Sequence, residues 1–189
     1  MVVFDNSIFC LVLHPDAKPR QAVHRAKDRI DYLMETLRDD NEQISLPTPA
    51  FAEFLVLAGQ DAPQYISVIR DNSVFRIDPL DERAAIELAD MEIEQRRKGN
   101  KRGSATDAEW QKVKFDRQIV AIAKANGARA IYSDDPHIAK HGEDCGIKVI
   151  ALADLPTPSA VQAELGLVAI EPTKLKETET SQESGPQPK

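Results

Sequence analysis

The sequence predicts an α/β domain with a mainly parallel central sheet, and two observations support this prediction. Short apolar runs, beginning with residues 1–4, alternate along the chain with amphipathic helical patterns, as they do in α/β proteins. The runs at residues 128–132 and 148–152 are short and rich in apolar residues, which is typical of buried parallel strands. We expect a domain over residues 1–155 and a tail over residues 156–189.

Composition and charge restrict the classes of function. Apolar residues make up 42% of the chain and charged residues 29%, which is ordinary for a soluble globular protein. The N-terminal stretch lacks a basic region and its apolar run is too short to span a bilayer, so we expect no signal peptide or membrane segment. Two cysteines argue against a disulfide framework and favour the cytoplasm. A net charge of −7 argues against a protein that coats nucleic acid through its overall charge.

Local signals predict the elements of the first half. After the strand at residues 1–4, apolar positions recur at helical spacing over residues 18–38. Thr48 and Pro49 are typical first residues of a helix, and Gly59 suits its end. Three further elements follow: a helix over residues 63–71, a strand over 73–77 and a polar helix over 81–98.

The second half contains the clearest helix signal. Thr106 and Glu109 fit a capping box, and Gly127 is a left-handed stop for the helix that follows. A strand at 128–132, a short helix at 135–142 and a closing strand at 148–152 complete the domain. The tail becomes too polar to offset its ordering entropy, so we expect disorder from about residue 171.

Four acidic residues lie in apolar surroundings. Asp5 and Asp135 each follow a predicted strand, and ligand crevices form at the carboxyl ends of parallel strands. Glu53 lies one turn into an apolar helix. Asp116 lies on a helical stripe that should face the sheet, together with Val113, Val120 and Ala123. Taken singly, these acids also suit turns or, if a helix face is rotated, the surface.

A divalent cation would explain why these carboxylates share one place. A buried unpaired carboxylate is costly, and crowded acids raise one another's pKa values. Mg²⁺ prefers oxygen ligands, and such an ion can activate water and stabilise charge during phosphodiester hydrolysis. The acids therefore favour Mg²⁺ or Mn²⁺ chemistry over zinc chemistry, since no histidine or thiolate is required.

The chain resembles a known family in the order of four segments. They are VVFDNS around Asp5, PAFAEFL around Glu53, KFDRQIVAIAKANGA around Asp116 and IYSDDPHI around Asp135. This order is similar to that of PIN domains, the metal-dependent nucleases that include the toxins of bacterial VapBC toxin–antitoxin pairs. The resemblance covers about residues 1–155 and implies a three-layer α/β/α domain that cuts RNA with Mg²⁺ or Mn²⁺. It also implies an antitoxin protein and a second copy of the chain as partners.

The resemblance assigns roles to individual residues. By position, Asp5 and Asp116 match the principal metal ligands, and Glu53 and Asp135 match further ligands or water-positioning bases. Ser7 and Ser133 match hydroxyl positions that orient the acids or a metal-bound water. Asp134 is a supporting residue and the alternative to Asp135 as the fourth acid, but it lies one residue off the usual position, so we prefer Asp135. If the resemblance holds, cleavage leaves 5′-phosphate and 3′-hydroxyl ends.

The sequence departs from the compact toxins in its length, its polar tail, the loop over residues 96–106 and Asn6, which replaces a hydroxyl residue. The loop contains a basic cluster that could hold RNA phosphates, formed by Arg96, Arg97, Lys98, Lys101 and Arg102. Lys112 and Lys114 follow in the sequence and could extend it. The alternatives are a solvated loop or a loop that binds a partner protein.

Other functions stay open at this stage. One is a catalytically silent PIN-like module that binds RNA or serves assembly. A less favoured one is a phosphoryl-transfer protein such as a receiver domain or phosphatase, although Asp5 lacks the second aspartate that such phosphatases use. His137, His141 and Cys145 recur every four residues, but Gly142 should interrupt their helix and no fourth zinc ligand is evident. We therefore interpret these histidines as surface residues.

Overall fold

The computed structural model describes residues 1–14, 16–99 and 110–158 of the chain, which form an α/β architecture. Its strands are β1 (Val2–Phe4), β2 (Ile44–Pro47), β3 (Phe75–Asp78), β4 (Ile131–Tyr132) and β5 (Val149–Ile150). Its α-helices are α1 (Asn6–Leu13), α2 (Ala26–Asp39), α3 (Thr48–Ala58), α4 (Ala62–Asp71), α5 (Glu82–Arg97), α6 (Trp110–Ala125) and α7 (Pro136–Asp144). Short 3-10 turns lie at Gly59–Asp61 and Leu152–Asp154.

The sheet has the strand order β3-β2-β1-β4-β5, and every pair of neighbouring strands is parallel. This confirms the predicted parallel sheet. Strand β1 lies in the centre, where Val3 pairs with Ser45 on one side and Ile131 on the other. Connections leave β1 toward β2 on one side and return to β4 on the other, so a crevice forms at its carboxyl end.

Alternate residues of β1 face opposite helical layers. Val2 and Phe4 belong to a core cluster with residues of α1, α2 and α3. Val3 belongs to a second cluster, which contains residues of α5, α6 and α7. The sheet therefore lies between two layers of helices, which confirms the predicted three-layer α/β/α arrangement.

Two sequence predictions differ from the structure in the first half. The helix predicted from residue 18 begins at Ala26, because Arg25 has a left-handed backbone (φ 55°) that no α-helix can include. Strand β2 was not predicted, since it has only four residues and includes Ser45 and Pro47. Ser45 is tolerated inside the sheet because its hydroxyl donates a hydrogen bond to Asp78 on β3.

The predicted ends of two helices are confirmed. Gly59 follows α3 with φ 55°, and Gly127 follows α6 with φ 64°. The capping box at Thr106–Glu109 and the tail beyond residue 158 lie outside the described residues. None of the described helices has the length and apolar character required to cross a membrane.

Gly142 allows α7 to pack closely against β5. A Cβ atom at this position would lie 2.4 Å from Val149 Cγ2 and 3.1 Å from the Ile147 carbonyl oxygen. We expect Gly142→Ala to lower the free energy of unfolding by about 1–3 kcal/mol through overpacking, although alanine favours helices. Urea denaturation would measure this change, with the exposed Ala139→Gly on the same helix as the propensity control. A more stable Gly142→Ala variant would contradict this view of the contact.

Candidate metal centre

Asp5 lies at the carboxyl end of β1 and is the N-cap of α1. Its Oδ2 atom accepts hydrogen bonds from Ser133 Oγ at 2.8 Å and from Ser7 Oγ at 3.0 Å. Burial raises the pKa of Asp5, and the hydrogen bonds from Ser133 and Ser7 oppose that rise. Asp5 is therefore a buried acid whose charge is partly compensated by two hydroxyl groups.

The same two serines join the ends of β1 and β4. Ser7 Oγ accepts a hydrogen bond from the Asp134 amide, and Ser133 Oγ accepts one from the Asp135 amide, both at 3.0 Å. Because each hydroxyl also donates to Asp5, the turn after β4 is tied to the start of α1. These contacts fit the supporting positions predicted for Ser7 and Ser133.

The neighbouring acids Asp134 and Asp135 have different partners. Asp134 Oδ1 accepts a hydrogen bond from the Leu152 amide at 2.7 Å, which anchors the 3-10 turn after β5. Asp135 is buried and caps α7, where its Oδ1 accepts from the His137 amide at 2.8 Å. This difference supports Asp135, rather than Asp134, as the acid of the candidate site.

Two cationic side chains contact the second oxygen of Asp135. Arg20 Nη1 lies 2.7 Å from Oδ2, and Lys112 Nζ contacts the same atom. Burial alone would raise the pKa of Asp135, but the hydrogen bonds from Lys112, the His137 amide and Arg20 lower it to about 2. Asp135 is thus ionised throughout the neutral range.

Asp116 lies on the stripe of α6 that the sequence predicted. The other residues of that stripe are fully buried: Val113, Val120 and Ala123. Asp116 itself is only 5% exposed, and its Oδ2 atom is buried without a hydrogen-bond partner in the described part of the chain. A buried carboxylate oxygen in this position lacks the compensation that Asp5 and Asp135 receive.

The electrostatic environment of Asp116 links all four predicted acids. Burial raises the pKa of Asp116 to about 7, against the opposing positive charge of Lys112. The carboxyl groups of Asp135, Asp5 and Glu53 add to the rise. The fold therefore brings these acids into one electrostatically coupled group from four separate elements.

Glu53 lies at the rim of this group. The residue as a whole is exposed, although neighbouring protein atoms partly shield its carboxyl group from water. This shielding raises the pKa of Glu53 and the charge of Asp5 adds to the rise, whereas Lys112 and a hydrogen bond from Asn6 oppose it. Asn6 Oδ1 also accepts a hydrogen bond from Cys10 Sγ at 3.0 Å. Glu53 therefore interacts electrostatically with the other carboxylates and is also accessible to solvent.

The donor chemistry of the site fits a divalent ion, but its side chains are not arranged as a ready coordination shell. Carboxylate oxygens are the donors that Mg²⁺ and Mn²⁺ prefer, and Asp116 Oδ2 is a buried oxygen without a partner. Within residues 1–14, 16–99 and 110–158, no three acidic, histidine or cysteine side chains are grouped closely enough to hold an ion. Asp135 Oδ2 instead forms ion pairs with Arg20 and Lys112.

Comparison with solved structures identifies the fold. The chain is similar to VapC in the VapBC2 complex from Rickettsia felis bound to a DNA fragment from their promoter, with a TM-score of 0.51 and 16% identity over 80% of this chain and 98% of that one. The DNA-bound VapBC from Salmonella typhimurium gives a TM-score of 0.50 and 16% identity, over 80% and 97%. The chain has a VapC-like PIN-domain fold.

VapC20 of Mycobacterium tuberculosis, a sarcin-ricin loop cleaving toxin, is also similar, with a TM-score of 0.48 and 14% identity over 75% of this chain and 95% of that one. No protein-family model matches the chain, and neither does any curated protein. At 16% identity, the likenesses to the two VapBC structures show the fold alone.

The predicted basic cluster is only partly described in this VapC-like domain. Arg96, Arg97 and Lys98 lie at the end of α5, where Glu94 forms ion pairs with Arg97 at 4.0 Å and Lys98 at 3.4 Å. Lys101 and Arg102 lie outside the described residues. Lys112, which was expected to extend this cluster, points instead to Asp135.

The interpretation of His141 as a surface residue was wrong. His141 on α7 is buried, and its burial and the nearby charge of Arg117 on α6 lower its pKa to about 4. Gly142 does not interrupt α7, which continues to Asp144. Glycine inside a helix costs only about 1 kcal/mol relative to alanine, so it need not end the helix. At this position the missing Cβ leaves room for the close contact with β5.

Arg20 is the site residue that the sequence did not reveal. It lies in an irregular segment between α1 and α2, and the fold brings it to Asp135 across 115 positions of sequence. Lys112 had a usable signal, because it precedes Asp116 by one helical turn on α6.

Asp116 should make the metal-free VapC-like domain less stable as the pH rises. Its pKa is about 7 in the folded chain, against the ordinary value of about 4 expected after unfolding. The folded state therefore holds an extra proton between these values, and that stabilisation is lost as the pH rises through 7. We expect wild-type protein to lose on the order of a few kcal/mol of unfolding free energy between about pH 5 and pH 8, relative to Asp116→Asn.

Urea denaturation in EDTA at several pH values would measure this difference. Glu143→Gln, an exposed acid on α7, is the matched control and should keep the wild-type pH dependence. Identical pH profiles for wild type and Asp116→Asn would contradict the raised pKa of Asp116.

Proposed function

We propose that this chain is an Mg²⁺- or Mn²⁺-dependent endoribonuclease that acts as the toxin of a toxin–antitoxin pair. The observation that carries this proposal is Asp116, a buried carboxylate with a raised pKa beside three other acids, and one of its own oxygens has no partner among the described residues. The VapC-like fold supports it, because Asp5 and Asp135 follow two neighbouring parallel strands, β1 and β4, at one edge of the sheet. A divalent ion would stabilise the ionised form of Asp116 and remove the cost of its burial.

Asp5 and Asp116 are the residues that would hold the ion, and Glu53 and Asp135 complete the four-carboxylate site. When bound, the ion would lower the pKa of a water and neutralise charge on the phosphodiester. Ser7 and Ser133 fix the orientation of Asp5 through their hydroxyl groups. Their hydrogen bonds also favour the ionised form of Asp5, which is the form that binds cations.

Glu53 is suited to accept a proton from the attacking water. Its partial burial and the charge of Asp5 raise its pKa, which makes it a stronger base than an ordinary glutamate. Its exposure at the rim lets solvent and substrate reach the carboxyl group. Attack of water on phosphorus would break the bond to the leaving 3′-oxygen, with 5′-phosphate and 3′-hydroxyl ends as products.

Basic residues at the end of α5 could bind RNA near this site. Helices α5 and α6 pack antiparallel, since Glu87 pairs with Lys124 and Glu92 with Arg117 further along α5. The end of α5, with Arg96, therefore lies beside the start of α6, which carries Lys112. A local group of cations at this end would let an acidic protein hold a polyanion.

An antitoxin protein is the partner that the VapBC neighbours support. The described surface offers apolar contacts for a protein partner on α3, where Val56 is 81% exposed and Leu57 is 67% exposed. The same surface could also join two copies of the chain.

A catalytically silent RNA-binding or assembly module is the second candidate. It is favoured by the absence of a ready group of three metal ligands in the described ranges. The two candidates differ in whether the acids bind Mn²⁺ and whether bound RNA is cut.

Asp116→Asn should abolish RNA cleavage while it preserves the fold. We expect wild-type protein to cut a labelled single-stranded RNA in the presence of Mn²⁺, and Asp116→Asn to reduce kcat by about 100-fold or more. Gel electrophoresis of the RNA measures cleavage, and isothermal titration with Mn²⁺ alone measures metal binding. Glu143→Gln should retain wild-type cleavage.

Three outcomes separate the candidates. Mn²⁺ binding with cleavage that depends on Asp116 supports the nuclease. RNA binding by wild type without Mn²⁺ binding or cleavage supports the silent module. Undiminished cleavage by Asp116→Asn would remove this residue from the catalytic site.

Expression in a bacterial host tests the proposed role as a toxin. We expect wild-type protein to arrest growth and Asp116→Asn, at an equal soluble level, to permit it, because the arrest requires RNA cleavage. Colony counts after induction measure the effect. Equal arrest by both proteins would show that growth inhibition does not depend on this site.

A further inference from the structure

Asp135 holds two cationic side chains beside the acids of the candidate site. Arg20 Nη1 and Lys112 Nζ both contact Asp135 Oδ2, and Oδ1 accepts the His137 amide. We propose that Asp135 is a positioning residue that fixes Arg20 and Lys112 as a clamp for an RNA phosphate next to the scissile bond. This inference rests on the proposed ribonuclease function and gives Asp135, one of the four acids of the proposed site, an additional role in holding the two cations.

The burial of the three side chains is unequal in a way that suits a clamp. Asp135 is 8% exposed, whereas Arg20 is 49% exposed and Lys112 is 40% exposed. The buried carboxylate of Asp135 thus holds the two cations, while their side chains remain accessible to solvent. A guanidinium has five N–H donors and an ammonium has three, so one shared carboxylate oxygen does not use them up.

The charge balance around Asp135 also favours an anion. Two cations contact a single carboxylate, so Asp135 by itself does not neutralise both of them. The charges of Asp116 and Asp5 also act on Arg20, and that of Asp116 acts on Lys112. The half-exposed cations would attract a phosphate, while the oxygen of Asp116 that has no partner within the described residues would attract a metal ion.

Lys112 lies close to the acid that is proposed to bind the ion. Lys112 and Asp116 are one turn apart on α6, so their side chains project from the same face of the helix. A phosphate held by Lys112 would lie beside the acid proposed to bind the ion. Arg20 approaches from the segment between α1 and α2, which gives the clamp a second arm from another part of the chain.

Metal-free RNA binding tests the clamp independently of catalysis. The probe is a fluorescently labelled single-stranded RNA in EDTA, and anisotropy gives its affinity at several KCl concentrations. We expect Arg20→Gln and Lys112→Gln each to weaken binding by about tenfold, the contribution of one charge-assisted hydrogen bond. Each should also reduce the slope of log affinity against log salt by about 0.7.

Two control variants exclude a general effect of charge. Lys27→Gln removes one positive charge from an 83% exposed position on α2 and should leave the affinity and slope close to wild type. Arg20→Lys keeps the charge but loses the planar fork, and should recover part of the affinity. Circular dichroism of each variant would establish that the fold is intact.

Asp135→Asn gives the sharpest test, because overall charge and the clamp predict opposite changes in RNA affinity. The variant retains an Oδ1 acceptor for the His137 amide and makes the protein less acidic by one charge. Overall charge alone predicts tighter RNA binding, as expected for the control Glu143→Gln. The clamp predicts weaker binding by about tenfold, because Arg20 and Lys112 lose their anchor.

Mn²⁺ titration of the Arg20 and Lys112 variants separates an effect on RNA binding from an effect on the binding of the ion. Arg20→Gln and Lys112→Gln should bind Mn²⁺ as tightly as wild type or more tightly, since a nearby positive charge has been removed. Unchanged RNA affinity in these variants, or tighter RNA binding by Asp135→Asn, would overturn the clamp. A different result would contradict the ribonuclease proposal, namely wild-type protein that binds RNA but does not cut it in the presence of Mn²⁺.

Discussion

The structure depends on the burial of several like charges beside the carboxyl ends of the neighbouring strands β1 and β4. Each buried acid meets this constraint in a different way. Asp5 receives hydrogen bonds from two serine hydroxyls, and Asp135 receives two cations and a backbone amide. Asp116 Oδ2 receives no hydrogen bond from the residues that the structure describes, and the pKa of Asp116 rises to about 7. The difference among the three acids indicates where a further positive charge would stabilise the protein most.

The parallel sheet creates this constraint. Strands β1 and β4 are neighbours and point in the same direction, so the residues that follow them meet at one edge. Ser133 after β4 therefore reaches Asp5 after β1, although 128 positions separate them in sequence. Helix α6 then covers this edge with an apolar stripe, and Asp116 is the polar member of that stripe.

The proposed binding of RNA requires an acidic protein to gather positive charge locally. The chain carries a net charge of −7, yet Arg20 and Lys112 both contact one carboxylate oxygen. Asp135 brings them together, because a buried carboxylate can hold two half-exposed cations. In the proposed clamp, the same acid that contributes negative charge to the group also positions the cations that would contact a phosphate.

The sequence alone determined the fold class and the faces of the helices, because apolar periodicity and helix-ending glycines are local properties. Gly59 and Gly127 end their helices as predicted, and the α6 stripe identified Asp116 as an inward-facing acid. The partners of these acids could not be predicted, since they depend on how distant segments pack. Only the tertiary structure brought Arg20 to Asp135, separated Asp134 from the site and buried His141. Hydrogen bonds and ion pairs act over a few ångströms in space, and sequence spacing does not encode such distances between separate elements.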